Sequence, residues 1–519
     1  GCGLPFFLGG TVPSVDALME TSYGLRRSPE FFWSQKRVRV LTRTRAEEID
    51  REGRRVRVRH LGSGEESWLP YDRLVLATGA VPVRPPIEGL DLPGVFFLHQ
   101  PADARAIQAR LASGGVKEAV VVGAGPIGLE AADALVSKRA RVTVLEMAPH
   151  ILPGLLDPEM ADLAQSLMQH PFLRLVTDAP VQRLTMENGA LAAHTPAGTF
   201  PADLVLVAVG VRPNVELARA AGLALGPTGA LAVDEHGRTS DPAIFAGGDC
   251  VESTHLVSGE KVYIPMGSTA NKHGRVIGSN LAGLEERFPG VLGTLALQAF
   301  DVNIARTGLT EAQAARAGFQ TVTAVAPSFD CSHYYPMHER ITLKVVANAA
   351  TGRLLGMQGV GLGEVVRRID VAAAALSVRA TLDDLAHMDL AYAPPFAEAM
   401  DAAIRVANVA RNKVQGVART VTLPELQRRV AAGEKVVLLD VRQPEEVEES
   451  PIALPGAEVV PIPLGQLRDR AGEVPRADLL VAVCAVGIRG YEAQRFLAGA
   501  GLPHAVFLEG GLTLLETAI

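Results

Sequence analysis

Residues 119–128 read Ala119-Val120-Val121-Val122-Gly123-Ala124-Gly125-Pro126-Ile127-Gly128, and residues 141–146 read Arg141-Val142-Thr143-Val144-Leu145-Glu146. The first four residues form a short apolar run, which predicts a strand buried on both faces. Three glycines in six positions then predict a tight turn, residues 129–138 have helical spacing, and a second apolar strand ends in an acid. Together they spell one βαβ unit with the G-x-G-x-x-G fingerprint of a dinucleotide site. Gly123, Gly125 and Gly128 would let the backbone approach a pyrophosphate, and Glu146 would accept hydrogen bonds from ribose hydroxyls. An acid there repels a 2′-phosphate, and no base follows at Met147 or Ala148, so NADH is favoured over NADPH.

Outward from this unit, further strands end in small-residue turns. They are Leu74-Val75-Leu76-Ala77-Thr78-Gly79, the run from Leu204 to Gly210, and Ile244-Phe245-Ala246-Gly247-Gly248-Asp249. Strands and amphipathic helices alternate from 293 to about 400. A helix is expected over 401–416, with Ala402, Val406, Val409 and Val414 on one side, and a last αβ unit follows. The chain has 519 residues, too many for one core. Its net charge of −7 gives no broad basic field, which argues against nucleic acid as a partner. No apolar run reaches membrane-spanning length and no signal peptide is evident, so the expected compartment is the cytoplasm. The four cysteines, Cys2, Cys250, Cys331 and Cys484, lie far apart, which suits a few working thiols in a reducing environment better than a disulfide framework. No metal site is expected.

Several of these segments carry a joint resemblance. Cys2-Gly3-Leu4-Pro5-Phe6-Phe7-Leu8-Gly9-Gly10, Ala77-Thr78-Gly79, Gly247-Gly248-Asp249 and residues 265–272 (PMGSTANK) resemble motifs of the FAD-dependent pyridine nucleotide-disulfide oxidoreductases. Tyr334-Tyr335-Pro336 and Tyr392-Ala393-Pro394-Pro395 resemble dimerisation motifs of that family's coenzyme A-disulfide reductase branch. Asp440-Val441-Arg442, Pro455-Gly456-Ala457 and the loop Cys484-Ala485-Val486-Gly487-Ile488-Arg489 resemble a rhodanese sulfurtransferase domain.

The resemblance implies an α/β architecture. A discontinuous FAD domain (1–102 and 231–290) would hold an inserted Rossmann NAD domain (103–230). An α+β dimerisation domain (291–416) and an α/β rhodanese domain (417–519) would follow. The family's first βαβ unit, which grips the FAD pyrophosphate, precedes the redox cysteine and is expected to be missing here. Thr78, Gly79, Gly210, Gly248, Asp249, Ser268 and Thr269 would contact cofactor, with the Asp249 carboxylate on the ribityl chain.

Cys2 would be the redox thiol. Position 7, where glutathione-reductase-like relatives place a second cysteine, is Phe7, so a single thiol would cycle through a mixed disulfide, persulfide or sulfenic acid. Phe32 and Lys36, one helical turn apart, match positions lining a coenzyme A channel; the alternative is an ordinary amphipathic helix with Phe32 in the core. Tyr392, with Tyr334 or Tyr335, would donate to a departing thiolate in the partner subunit of a homodimer. Cys484 would lie in a nest of backbone N–H groups that favours thiolate and persulfide, with Arg489 adding positive charge. The implied reaction is NADH- or NADPH-driven reduction of coenzyme A disulfide, coenzyme A persulfide or polysulfide. Its rivals are an NADH oxidase or peroxidase using a sulfenic acid at Cys2, and a flavin-free sulfur carrier.

Overall fold

The structure, a computed structural model, describes residues 2–187 and 189–515. The chain forms two compact units, residues 1–149 with 170–291, and residues 150–169 with 292–519.

The first unit is centred on the fingerprint. Glu118–Val122 is flanked by Arg141–Leu145 on one side and Leu204–Val207 on the other, in a five-stranded sheet that Val95–Phe97 and Leu173–Val176 complete. All strands run parallel, as expected of continuous apolar runs covered on both faces. The helix spans Pro126–Ser137 and starts three residues earlier than its periodicity suggested. Pro126 accounts for this, because its fixed φ and missing N–H suit the first helical position. A second small sheet pairs Ile244–Ala246 with Leu74–Leu76 in parallel, so the turns after both strands emerge at the same edge. The short helix Leu4–Gly9 buries Leu4, Phe7 and Leu8 and packs against Pro126–Ser137.

The second unit holds two sheets. The antiparallel one runs in the order Leu295–Ala299, Val302–Gly308, Leu354–Gly361, Arg340–Asn348, Thr321–Phe329. The parallel one runs Thr420–Val421, Val506–Leu508, Leu479–Val483, Val436–Asp440, Ala457–Pro461. Residues 150–169, inside the span expected for the NAD domain, associate with this unit. The buried Lys344 ammonium lies 3.0 Å from Asp157 and 2.5 Å from Glu159, and Arg306 donates to the Gly154 carbonyl at 3.3 Å. The expected helix near 401–416 spans Ala402–Val414, but its buried face is Ala402, Ala403, Val406, Ala407 and Ala410. Val414 is 46% exposed. This small-residue row lets the helix lie close on Thr321–Phe329 and Arg340–Asn348, so it is a packed element and not a spacer. Among the described residues no helix is long and apolar enough to cross a membrane.

Candidate functional site

The three fingerprint glycines divide the work. Gly123 has φ +103°, and a Cβ there would come within 2.7 Å of the Ala208 carbonyl oxygen. A Cβ on Gly128 would meet the Gly123 oxygen at 2.1 Å, so this glycine allows the helix to pack on the strand. Around Gly125 a Cβ would meet nothing within 4 Å, which leaves an open approach for a phosphate at a helix N-terminus. Glu146 is buried and does more than was expected of it. Its oxygens accept from Ala124 N–H at 2.8 Å and Ala148 N–H at 2.9 Å, bracing the turn while keeping lone pairs for a ribose. On the following helix, burial pushes the Glu130 carboxyl up to about 7. Sequence reasoning passed over it because an acid on a helix ordinarily reads as solvated.

The flavin-side turns fit a bound dinucleotide. A Cβ added at Gly79 (φ +67°), Gly210 (φ +98°) or Gly267 would meet nothing within 4 Å, and at Gly248 (φ +81°) only the Ala270 methyl at 3.7 Å. These positions border open space that L side chains would fill. The Thr78 hydroxyl donates to the Asn214 carbonyl at 2.6 Å, fixing its turn. Asp249 is half-buried, and burial raises its carboxyl above the ordinary value. Ser268 and Thr269 open the helix Gly267–Leu281. Cys2 is exposed and lies just before Gly3, the N-cap of Leu4–Gly9, whereas Phe7 is a core residue. Phe32 and Lys36 lie on the helix Pro29–Lys36, capped by Ser28, whose hydroxyl accepts from Phe31 N–H at 3.2 Å. None of this helix is buried, so the reading of Phe32 as a core residue does not hold.

In the second unit, Tyr392 is exposed, and its phenol is raised above the ordinary value, chiefly by Tyr334, with Ser332 acting in the opposite direction. Of the two candidates beside Tyr392, this favours Tyr334. The buried Arg368 joins the two tyrosine segments: it donates to the carbonyls of Asp330 and Phe396 and pairs with Asp401 at 3.0 Å. Its role escaped the sequence because two of its partners are backbone oxygens and Asp401 is 33 positions away.

Cys484 follows the fully buried strand Leu479–Val483. Its sulfur is 1% exposed by residue and accepts from Gly487 N–H at 3.1 Å and Gly490 N–H at 3.4 Å. Gly487 adopts φ +97°, a left-handed conformation that turns its N–H inward before the helix Ile488–Gly499 begins. Arg489 was expected to lend its charge to the sulfur. Its guanidinium is also held bidentately by Glu446, at 2.5 and 2.7 Å, and that pairing brings the Glu446 carboxyl down to about 2. Arg489 is raised mainly by Glu446, with a smaller contribution from Cys484. Arg442, buried on Asp440, also donates to the Glu446 and Ser450 carbonyls and so shapes the loop that offers Glu446.

Residues 9–274 match the family described as pyridine nucleotide-disulphide oxidoreductase. The chain belongs to this family. Its dimerisation domain matches over residues 296–404, and a rhodanese-like domain over 422–517. A CoA-dependent NAD(P)H sulfur oxidoreductase of Pyrococcus abyssi is 40% identical across 79% of this chain and 89% of its own length. Among solved structures, a NAD-dependent persulfide reductase from A. fulgidus is similar with a TM-score of 0.93 at 44% identity, covering 99% of this chain and 92% of its own. The CoADR-RHD of Bacillus anthracis gives 0.91 at 32% identity, covering 99% and 90%. The expected α/β flavoprotein architecture, with FAD and NAD(P)H as cofactors and an appended rhodanese domain, agrees with these findings.

Proposed function

We propose that the chain uses NADH or NADPH, through FAD, to reduce sulfur–sulfur bonds at Cys2, and that Cys484 loads sulfane sulfur for the same purpose. The substrates are coenzyme A persulfide and polysulfide, with coenzyme A disulfide as a simpler analogue. The observation that carries this reading is the pair of backbone N–H groups on the Cys484 sulfur, in a chain whose other site begins with a redox-cysteine motif. The relatives named for CoA-dependent sulfur and persulfide reduction support it.

Bound flavin supplies a two-electron relay between reduced nicotinamide and sulfur. The protein supplies the rest. The Cys484 thiolate takes the outer sulfur of thiosulfate, becoming a persulfide as sulfite leaves, and the nest N–H groups stabilise the anion before and after. Coenzyme A thiolate then accepts that sulfur and Cys484 returns to thiolate. At the other site the Cys2 thiolate attacks the inner sulfur of coenzyme A persulfide. A mixed disulfide forms as hydrosulfide departs, and two electrons open it to two thiolates. Tyr392, whose phenol is raised chiefly by Tyr334, would donate to the departing thiolate, across a homodimer as the dimerisation domain implies. Phe32 and Lys36 would offer an apolar face and an ammonium to coenzyme A. A cytoplasmic setting fits the four unpaired thiols.

Steady-state rates of Cys484→Ala on two substrates test the coupling. Sulfur transfer from thiosulfate should vanish and polysulfide reduction should slow several-fold, while coenzyme A disulfide reduction stays near wild type. Equal loss on both reductive substrates would assign Cys484 to folding alone, and no loss on polysulfide would uncouple the domains.

A further inference from the structure

We propose that His273 is a positioning residue of the flavin site, whose neutral Nδ1 holds the turn Gly247-Gly248-Asp249 in the form that presents Asp249 to the cofactor. This inference rests on the family's FAD chemistry and is independent of which sulfur compound is reduced.

The turn is held at each of its three residues by a side chain. Gly248 N–H donates to His273 Nδ1 at 3.2 Å. The Tyr263 hydroxyl donates to the Asp249 carbonyl at 2.9 Å. The Cys250 thiol donates to the Gly247 carbonyl at 3.3 Å and reaches the Leu76 carbonyl at 3.7 Å, on the strand leading into Thr78 and Gly79. Of the three, His273 has the widest reach. It lies on Gly267–Leu281, the helix opened by Ser268 and Thr269, so one hydrogen bond ties two cofactor-facing segments together.

The surroundings fix its chemical form. His273 is 7% exposed, and its ring meets Phe288 edge-on at 4.4 Å with an 80° interplanar angle. Burial lowers its basicity, and only an unprotonated Nδ1 can accept the Gly248 proton, so the remaining proton belongs on Nε2. Gly248 sits at φ +81° and a Cβ on Gly247 would lie 3.0 Å from the His273 Cβ, so turn and helix are in close contact. Removing the acceptor would leave a partly buried N–H without its partner and free the turn to rotate. His273 also lines a cavity of about 230 Å³ with Val276, Ile277 and Phe288, so an aliphatic replacement can be accommodated.

The test compares His273→Leu with His273→Asn in the full-length protein, by titrating flavin-depleted protein with FAD and following flavin fluorescence. Leucine should weaken FAD binding about tenfold (about 1.4 kcal/mol) and shift the bound flavin's visible band. Asparagine carries an acceptor near the Nδ1 position and should restore binding to within about threefold of wild type. Thiosulfate sulfur transfer at Cys484 should be unchanged in both, which separates a local effect from misfolding. Wild-type FAD affinity in His273→Leu, or equal weakness in the two variants, would overturn the assignment. Should the leucine variant also lose sulfur transfer, the asparagine variant alone decides, with tight FAD binding supporting the role and weak binding refuting it.

Discussion

The two working sulfurs of this chain stand in opposite settings. Cys484 is enclosed at the end of a buried strand, with two amide N–H groups aimed at it from its own loop. Cys2 is exposed at the start of a six-residue helix whose buried side chains are apolar. The first site therefore makes its own electrostatics from backbone that cannot titrate. The second, on the reading proposed above, would draw its reactivity from the bound flavin. On the proposed reading, a thiol of the first kind suits a store for sulfane sulfur, and one of the second kind a relay for electrons.

This contrast breaks most visibly at Cys2. Cys2→Ser should lower coenzyme A disulfide reduction by at least about a thousandfold, because a hydroxyl cannot form the mixed disulfide. Flavin reduction by NADH in rapid mixing and thiosulfate transfer should both persist. Turnover of disulfide near the wild-type rate would end the assignment of Cys2 as the redox thiol.

A middle-sized effect is expected at the enclosed site. Gly487→Ala places a Cβ on a residue at φ +97° and tilts its N–H away from the sulfur. Thiosulfate transfer should fall about 10- to 100-fold, with about 1–2 kcal/mol lost in denaturant unfolding of the second unit. Coenzyme A disulfide reduction should hold. An unimpaired transfer rate would show that the nest is not the source of reactivity.

The smallest effect sharpens the difference in pH response. Glu130, on the helix that packs against Leu4–Gly9, has its carboxyl pushed by burial from the ordinary 4.5 to about 7. It therefore binds its proton more tightly in the folded protein than in the unfolded one. That contribution is complete below about 4.5 and is lost as pH rises to about 7, to the extent of about 2 kcal/mol after allowance for partial solvation. Glu130→Gln should remove this slope, so its melting temperature exceeds that of wild type by a margin that grows between pH 5 and 7.5 (values chosen to bracket the shift). Parallel profiles would exclude Glu130 as the titrating group.

Much of the architecture was legible because it is written in local periodicity. The fingerprint strands, their turn and the Cys484 strand are short apolar runs followed by glycines, and each folds as that pattern dictates. The helix Ala402–Val414 was less legible, since its packed face is mostly alanine, with Val406 but not Val409 or Val414, and only the partner sheet decides that. The same limit explains the pairing of Arg489 with Glu446, 43 positions apart. A charge next to a cysteine reads as serving it alone, and the distant carboxylate that takes both terminal guanidinium nitrogens is not visible in the local sequence. His273 and Tyr263 act on backbone atoms, which carry no residue-specific signature.

One ion pair decides where the last domain can be cut from the rest of the chain. Lys413, in the last turn of Ala402–Val414, pairs with Glu509, which is 2% exposed and also accepts from the Thr420 hydroxyl at 3.3 Å. Burial pushes the Glu509 carboxyl up and Lys413 draws it down again. Glu509 follows the strand Val506–Leu508, and two residues later Gly511 passes so close to the Cys484 loop that a Cβ there would lie 2.3 Å from the Cys484 carbonyl oxygen. The cation that neutralises this acid thus comes from before residue 417 and the acid from near the other end of the sulfurtransferase fold. Cutting the chain at 417 would therefore strand the Glu509 carboxyl in an apolar interior, so the segment before that point belongs to what stabilises the last domain.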